Sequence, residues 1–319
     1  APADSAPTAA ADTDGGARRA AVRPGQAVYD QALAAGVAAF QARHGIGVDS
    51  VLGAETVKAL NVPAAYRLGQ IATNLERHRW LPRDLGGRHV IVNVPAFKLE
   101  AWDGGQKSLE MKVVVGKDYE DRKTPVFADS METVVFRPYW YVTDDIAAKE
   151  TFPKMAADPD YARRNNLETF RENGQLRVRQ LPGDSNSLGL VKFLFPNQYN
   201  IYLHDTPEKQ LFSKDVRGFS HGCIRLERPA ELASWVLGQP LERVREQMDA
   251  RPDNKTVKLP RKIPVYIVYF TAYTQDGQLY FGNDLYGRDG KTVQAMDGSF
   301  GQQGEVVRAV EALRRLAAG

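Results

Sequence analysis

Apolar side chains recur along this chain first with a helical period and then with a strand period. From Val28 to about Arg83 the spacing is helical. "VYDQALAAGVAAFQARHG" places Val28, Leu33, Val37, Phe40 and Gln41 near one stripe and ends at Gly45, positioned as a C′ glycine. "DSVLGAETVKALNV" predicts a second, short helix that starts from Asp49 or Gly53 and stops at Asn61-Val62-Pro63. "AAYRLGQIATNLERHRW" predicts a third, with Leu68, Ile71, Leu75 and Trp80 at helical spacing. Past "LPRDLGG" the period drops to two. "HVIVNVPAFKLEAWDGGQKSLEMKVVVG" predicts two strands around an Asp103-Gly104-Gly105 hairpin, and "METVVFRPYWYV" a third strand.

Residues 144–182 turn helical and polar, an excursion from the sheet, before "LVKFLFPN" and "NIYLHD" resume it. "ERPAELASWVLGQP" and "LERVREQMDA" predict two amphipathic helices. "VKLPRKIPVYIVYFTAYTQDGQLYFGND" predicts a hairpin turning at Asp276-Gly277, and "GEVVRAVEALRRLAAG" a closing helix. The expected class is α+β: a linker over 1–26, a helical module over 27–83, a mainly β domain over 87–300 with the insert at about 144–182, and a helix within 301–319. Residues 1–26 are rich in Ala, Pro, Asp and Gly, a composition that cannot bury enough surface to offset ordering entropy. That stretch lacks the apolar core of a signal peptide, and a chain starting without Met suggests a processed, exported form.

Composition narrows the partners. Hydrophobic content is 43% and charged content 25%, ordinary for a globular protein, and no apolar run approaches the roughly 18 residues of a membrane span. A net charge of +3 argues against nucleic acid or an anionic membrane as the main partner. One cysteine in 319 residues excludes an intramolecular disulfide.

That cysteine, Cys223, sits in "GFSHGC", a small, polar, glycine-rich stretch where backbone amides can approach a substrate closely. A nucleophilic thiol needs a base. His221 lies two residues away, and His204 closes the strand "NIYLHD" 19 residues upstream, where a loop returning to the sheet would bring it opposite Cys223. Two other chemistries share the same text. Gly218-Phe219-Ser220-His221-Gly222 fits the serine elbow of α/β-hydrolases, but that fold needs its histidine after the acid, and none follows His221. His204, Asp205, His221 and Cys223 are zinc-capable, but no C-x-x-C, H-x-x-x-H or H-E-x-x-H spacing supports a metal, so neither metal nor cofactor is expected.

Taken together, "YLHDTP", fifteen residues from Asp205 to Phe219, and "SHGCIRL" resemble the L,D-transpeptidases of the YkuD type. "VVVGKDYEDRKTPVF", "FRPYWYVTDDIAAKE", "LPGDSNSLGLVKFLFPNQYNIYLHDTP" and "IPVYIVYFTAY" are similar to the large periplasmic Gram-negative branch of that family. "VAAFQARHGIGVDSVLGAETVKALNVP" resembles part of a peptidoglycan-binding module. The resemblance implies a mainly β YkuD-like domain with a helical lid insert behind a small helical module. It implies Cys223 as nucleophile and His204 as base on a peptide stem, with D-Ala leaving and a second stem's amine resolving the thioester. Amides around His221, Gly222 and Cys223 would hold the oxyanion, and Asp205 would fall near the position that orients the histidine. Arg225 would meet a stem carboxylate or brace the loop, with Ser220, Tyr202 and Trp140 lining the site.

The implied partners are peptidoglycan stems and, as covalent inhibitors, carbapenem β-lactams; a periplasmic monomer is expected. Three rivals remain. A carboxypeptidase would resolve the same thioester with water; a sortase-like enzyme would place its histidine much further upstream; a non-catalytic wall-binding protein would leave Cys223 merely buried.

Overall fold

The computed structural model describes residues 28–119 and 122–297; the expected linker and the closing helix lie outside them. Three helices come first, α1 (Gln31–Arg43), α2 (Ala54–Leu60) and α3 (Ala64–Arg79). Strands follow: β1 (Arg88–Asn93), β2 (Lys98–Asp103), β3 (Gln106–Gly116), β4 (Phe127–Phe136) and the short β5 (Trp140–Tyr141). The insert holds α4 (Asp144–Ile146), a π-helical turn (Ala147–Thr151), α5 (Phe152–Ala157), α6 (Tyr161–Arg164), β6 (Leu167–Glu172) and β7 (Gln175–Gln180). After it come β8 (Val191–Leu194), β9 (Leu203–His204), β10 (Gly218–Ser220), β11 (Ile224–Leu226), α7 (Pro229–Leu237), α8 (Leu241–Asp249), β12 (Lys255–Val268), β13 (Ala272–Gln275), β14 (Gln278–Phe281) and α9 (Arg288–Asp297).

Among the described residues the main sheet runs β10-β3-β11-β9-β8-β4-β12-β1-β2, and β2 pairs again with β3. That second pairing closes the circuit into a barrel and removes its open edges. Val90, Val92, Leu99, Met131, Val134, Phe193, Leu203, Ile224 and Ile267 fill it, and Leu232, Val236 and Val244 from α7 and α8 join the same core.

Two expectations change in detail. The first apolar stretch forms three strands, because the chain turns sharply through Phe97 at φ 51° between β1 and β2. The expected turn at Asp103-Gly104-Gly105 then joins β2 to β3, with both glycines at positive φ. In the insert only the first half is helical. The second half is an antiparallel hairpin turning on Asn173 and Gly174, both at positive φ, and β5 adds to it as a third strand. Asn-Gly is the turn signal that marks this hairpin in the sequence. The small core of the insert is Val142, Ala147 and Val178, with Trp140 and Phe152 packed against it.

α1 ends as expected, with His44 as C-cap and Gly45 at φ 62°, and α2 starts from Gly53. α3 departs most from its pattern. Leu75 is 62% exposed and Leu68 52%, whereas Gln70 and Asn74 are each 2% exposed. The helix turns its polar face inward because that face is hydrogen-bonded to the barrel. Asn74 Nδ2 donates to Thr271 Oγ1 at 2.8 Å, Thr271 N–H donates to Asn74 Oδ1 at 3.0 Å, and Arg77 pairs with Asp289 at 2.6 Å with both side chains almost wholly buried. Arg77 also donates to Thr292 Oγ1 at 3.2 Å, and Thr271 Oγ1 donates to the other oxygen of Asp289 at 2.8 Å.

Replacing Arg77 with Met should therefore strand a buried carboxylate and cost about 3–5 kcal/mol of stability. Urea unfolding of both proteins checks this, and a loss below about 1 kcal/mol would show that the network contributes little.

Candidate active site

β9 and β11 pair in parallel, with Leu203 opposite Ile224 and His204 opposite Arg225. Leu203 and Ile224 are fully buried in the barrel core. Alternation along a strand then sends Tyr202, His204, Cys223 and Arg225 to the opposite face. Four residues singled out by sequence are so gathered on one surface. β8 adds a fifth group, since Lys192 stands opposite His204 and shares its face.

The turn bearing the cysteine is tied down by two hydroxyls. Ser220 Oγ donates to the Cys223 carbonyl at 2.6 Å and accepts from the Gly222 N–H at 3.1 Å. Thr124 Oγ1 donates to the Gly222 carbonyl at 2.8 Å and accepts from Gly116 N–H at 2.9 Å. Gly222 has φ 114°, and a Cβ there would come within 3.0 Å of Ile201 Cδ1, so only glycine fits.

These bonds give two of the residues named from sequence a local role. Ser220 is 3% exposed and its hydroxyl braces the turn. The Gly222 amide is occupied by Ser220, leaving the amides of His221 and Cys223, which have no hydrogen-bond partner among the described residues, to face an oxyanion.

His204 is 4% exposed, and its Nδ1–H donates to the backbone carbonyl of Asp205 at 2.5 Å. That bond selects the tautomer and leaves the lone pair on Nε2. Asp205 thus orients the histidine through its backbone. Its carboxylate accepts from Leu190 N–H at 2.9 Å, Thr206 N–H at 2.7 Å and Lys209 Nζ at 2.5 Å, and lies where a Cβ on Gly189 would fall. The Asp205 side chain is thus consumed by the scaffold.

Burial governs the electrostatics. It pushes His204 down to about 3, with Arg225 acting in the same direction and the Asp205 carbonyl opposing. Burial raises Cys223 to about 11, against hydrogen bonds from Tyr202 and the charges of Arg225 and Lys192. The Tyr202 phenol is raised by its own burial and then by Cys223. At neutral pH the resting site therefore holds a thiol and a neutral imidazole. The Sγ–H points at the Asn200 carbonyl, 3.7 Å away.

The remaining candidates are engaged elsewhere with partners of their own. Arg225 pairs with Glu208, while its buried Nε has no partner. His221 is no base for Cys223: its Nε2 lies 2.9 Å from Glu150 Oε1, in the insert. Trp140 pairs with β7 and packs, partly buried, against the core of the insert. Thr124, Asn200, Glu150 and Arg122 escape sequence reasoning because only tertiary contacts bring them to the turn. Lys192 did leave a signal, as a lone charge within the apolar "LVKFLF". No group of three or more His, Cys, Asp or Glu able to hold a metal occurs among the described residues.

Residues 87–267 match the family model described as the YkuD L,D-transpeptidase catalytic domain. The chain belongs to that family. Ahead of the YkuD domain, residues 20–60 match a model described as "Putative peptidoglycan binding domain". A Haemophilus influenzae protein named "Putative L,D-transpeptidase" is 33% identical over 239 residues, 69% of this chain. The chain spans 48% of that relative. Two solved structures are similar to this YkuD protein at low identity. L,D-transpeptidase 3 from Mycobacterium tuberculosis, in complex with a faropenem-derived adduct, is 13% identical, with TM-score 0.31 and coverage of 57% of this chain and 60% of that one. An L,D-transpeptidase from Mycobacterium smegmatis is 14% identical, with TM-score 0.29 and coverage of 57% and 58%. The family assignment stands on the sequence matches, to which these superpositions add no argument.

The neutral resting pair of the YkuD site sets its pH behaviour. Alkylation of Cys223 should quicken steadily toward about pH 11. A plateau below about pH 8, the mark of a pre-formed thiolate, would contradict this. The same shifts act on stability. Unfolding lets His204 bind a proton more readily, so stability should fall as pH drops from 6.5 toward about 3. Unfolding lets Cys223 lose one more readily, so stability should also fall as pH rises from 9.0 toward about 11, and unfolding midpoints across this range check both slopes.

Proposed function

We propose that this chain is a peptidoglycan L,D-transpeptidase, exported to the periplasm, that forms 3→3 cross-links. Cys223 Sγ attacks the carbonyl of the L-configured centre of a diamino acid in a tetrapeptide stem. The Sγ–H proton passes to His204 Nε2 as the carbon–sulfur bond forms. The tetrahedral intermediate collapses by breaking the bond to D-Ala, whose amine takes that proton from Nε2. The side-chain amine of a second stem then attacks the thioester, with Nε2 again accepting the proton and returning it to sulfur.

The arrangement that carries this reading is the shared face of Cys223 and His204, with Nδ1 of the histidine held by the Asp205 carbonyl. A neutral imidazole with its lone pair on Nε2 is the form a general base requires. The Sγ–H must first turn from the Asn200 carbonyl toward Nε2, so the thiolate develops only as substrate is attacked. The amides of His221 and Cys223 would meet the developing oxyanion, where each such donor is worth about 3 kcal/mol. Tyr202 stabilises negative charge on sulfur by donating its phenol hydrogen. Strained β-lactams such as carbapenems fit the same chemistry as acyl donors.

Incubation with a disaccharide-tetrapeptide should yield an acyl adduct on Cys223 with loss of D-Ala, read by intact mass, and Cys223→Ala should form none. An unmodified protein, or full D-Ala release by the Ala variant, would overturn the reading. With an acceptor stem present, a cross-linked dimer is expected. Free tripeptide alone would instead identify water as the acceptor and the protein as a carboxypeptidase.

A further inference from the structure

Glu150 lies in the insert, yet its carboxylate is bonded to the turn that carries Cys223. A single oxygen, Oε1, lies 2.9 Å from His221 Nε2 and 2.7 Å from Arg122 Nη2. The other oxygen lies 3.9 Å from Lys154 Nζ, one turn along the insert. Three segments separated by 28 and 71 residues thus meet at one atom. Side-chain exposures of 29% for Glu150, 33% for His221 and 21% for Arg122 place the cluster at a partly shielded seam. The His221 hydrogen bond and then the charges of His221 and Arg122 lower the Glu150 carboxyl from its ordinary range.

The backbone on both sides suits this contact. Arg122 precedes Thr124, whose hydroxyl bonds the Gly222 carbonyl, and the Arg122 carbonyl lies where a Cβ on Gly116 would fall. The guanidinium is therefore presented from a segment already fixed to the catalytic turn. On the insert side, Glu150 sits in the π-helical turn Ala147–Thr151, closed by the Phe152 N–H on the Ala147 carbonyl. Pro153 has no N–H to give to the Lys149 carbonyl, and its ring would crowd that oxygen in an α-helix. The wide turn is thus written into the sequence, and such turns recur at functional sites. An isolated surface ion pair contributes little, but this carboxylate is shared by two donors from a braced turn and a braced loop.

Resting on the transpeptidase reading, we propose that Glu150 is a positioning residue: through His221 it fastens the 144–182 insert to the catalytic turn. The clamp holds the insert along one side of the site. It also fixes the peptide of His221, whose amide is one of the two free to face the oxyanion.

Two measurements separate this proposal from the reading beneath it. Hydrogen exchange of amides 144–157 in the resting protein needs no turnover, and steady-state D-Ala release needs no structural probe. Glu150→Ala should raise exchange of those amides about tenfold and lower kcat/KM about tenfold, chiefly through a higher KM for the donor stem. Glu150→Gln, whose amide oxygen still accepts, should fall between it and the parent. The double variant Glu150→Ala/His221→Ala should be no worse than the more impaired single variant, because both changes cut the same contact. Unchanged exchange in Glu150→Ala, or losses that multiply in the double variant, would overturn the clamp. Absence of D-Ala release from the parent, with exchange responding as expected, would overturn the transpeptidase reading and leave the clamp standing.

Discussion

The parallel pairing of β9 with β11 is the constraint on which the site depends. Each strand has only two or three residues; β9 sends Leu203 and β11 sends Ile224 and Leu226 into the barrel. Burial of those residues sets the register, and a slip by one position would turn the side chains of His204, Cys223 and Arg225 into the core. Because parallel neighbours cannot be joined by a tight turn, residues 205–223 must loop out and return. That loop carries the Asp205 carboxylate into the scaffold and brings back the Ser220–Cys223 turn, already bonded to Thr124.

Reactivity and burial pull in opposite directions at this surface. Packing His204 against the barrel gives it a single tautomer, and the same burial costs it the ability to hold a positive charge. The thiol beside it is likewise kept neutral, despite Tyr202, Arg225 and Lys192 favouring its ionised form. The resting site is consequently quiet. In the proposed reaction, charge separation would become favourable only when a substrate carbonyl supplies an acceptor for the electrons and the amides of the turn meet the oxygen.

The rest of the molecule shows how far polar contacts can override a simple apolar pattern. The third helix carries a legible leucine stripe, yet hydrogen bonds that Asn74, Arg77 and Thr271 donate, two of them to the Asp289 carboxylate, turn that stripe toward solvent. The insert is similarly tied by polar atoms. It has its own core of Val142, Ala147 and Val178, and Glu150 links it to the catalytic turn.

The sequence by itself determined the helical start of the chain, the change to strand period after it, and the hairpin turns at Asp103-Gly104-Gly105 and Asp276-Gly277, and it singled out Cys223 with two candidate bases, His204 and His221. The turns and periods follow from apolar spacing and glycine placement, which act over a few residues. Even the Asn173-Gly174 hairpin was legible there, though the helical character of the segment before it masked the signal. Only the tertiary structure decided that Asp205 orients the histidine by its backbone, that Gly222 lends no free amide, that Trp140 packs inside the insert, and that Glu150 reaches His221. Each of those outcomes depends on which distant donor meets which acceptor once the barrel closes. Such pairing is set by packing across tens of residues of chain and leaves no period or spacing to read.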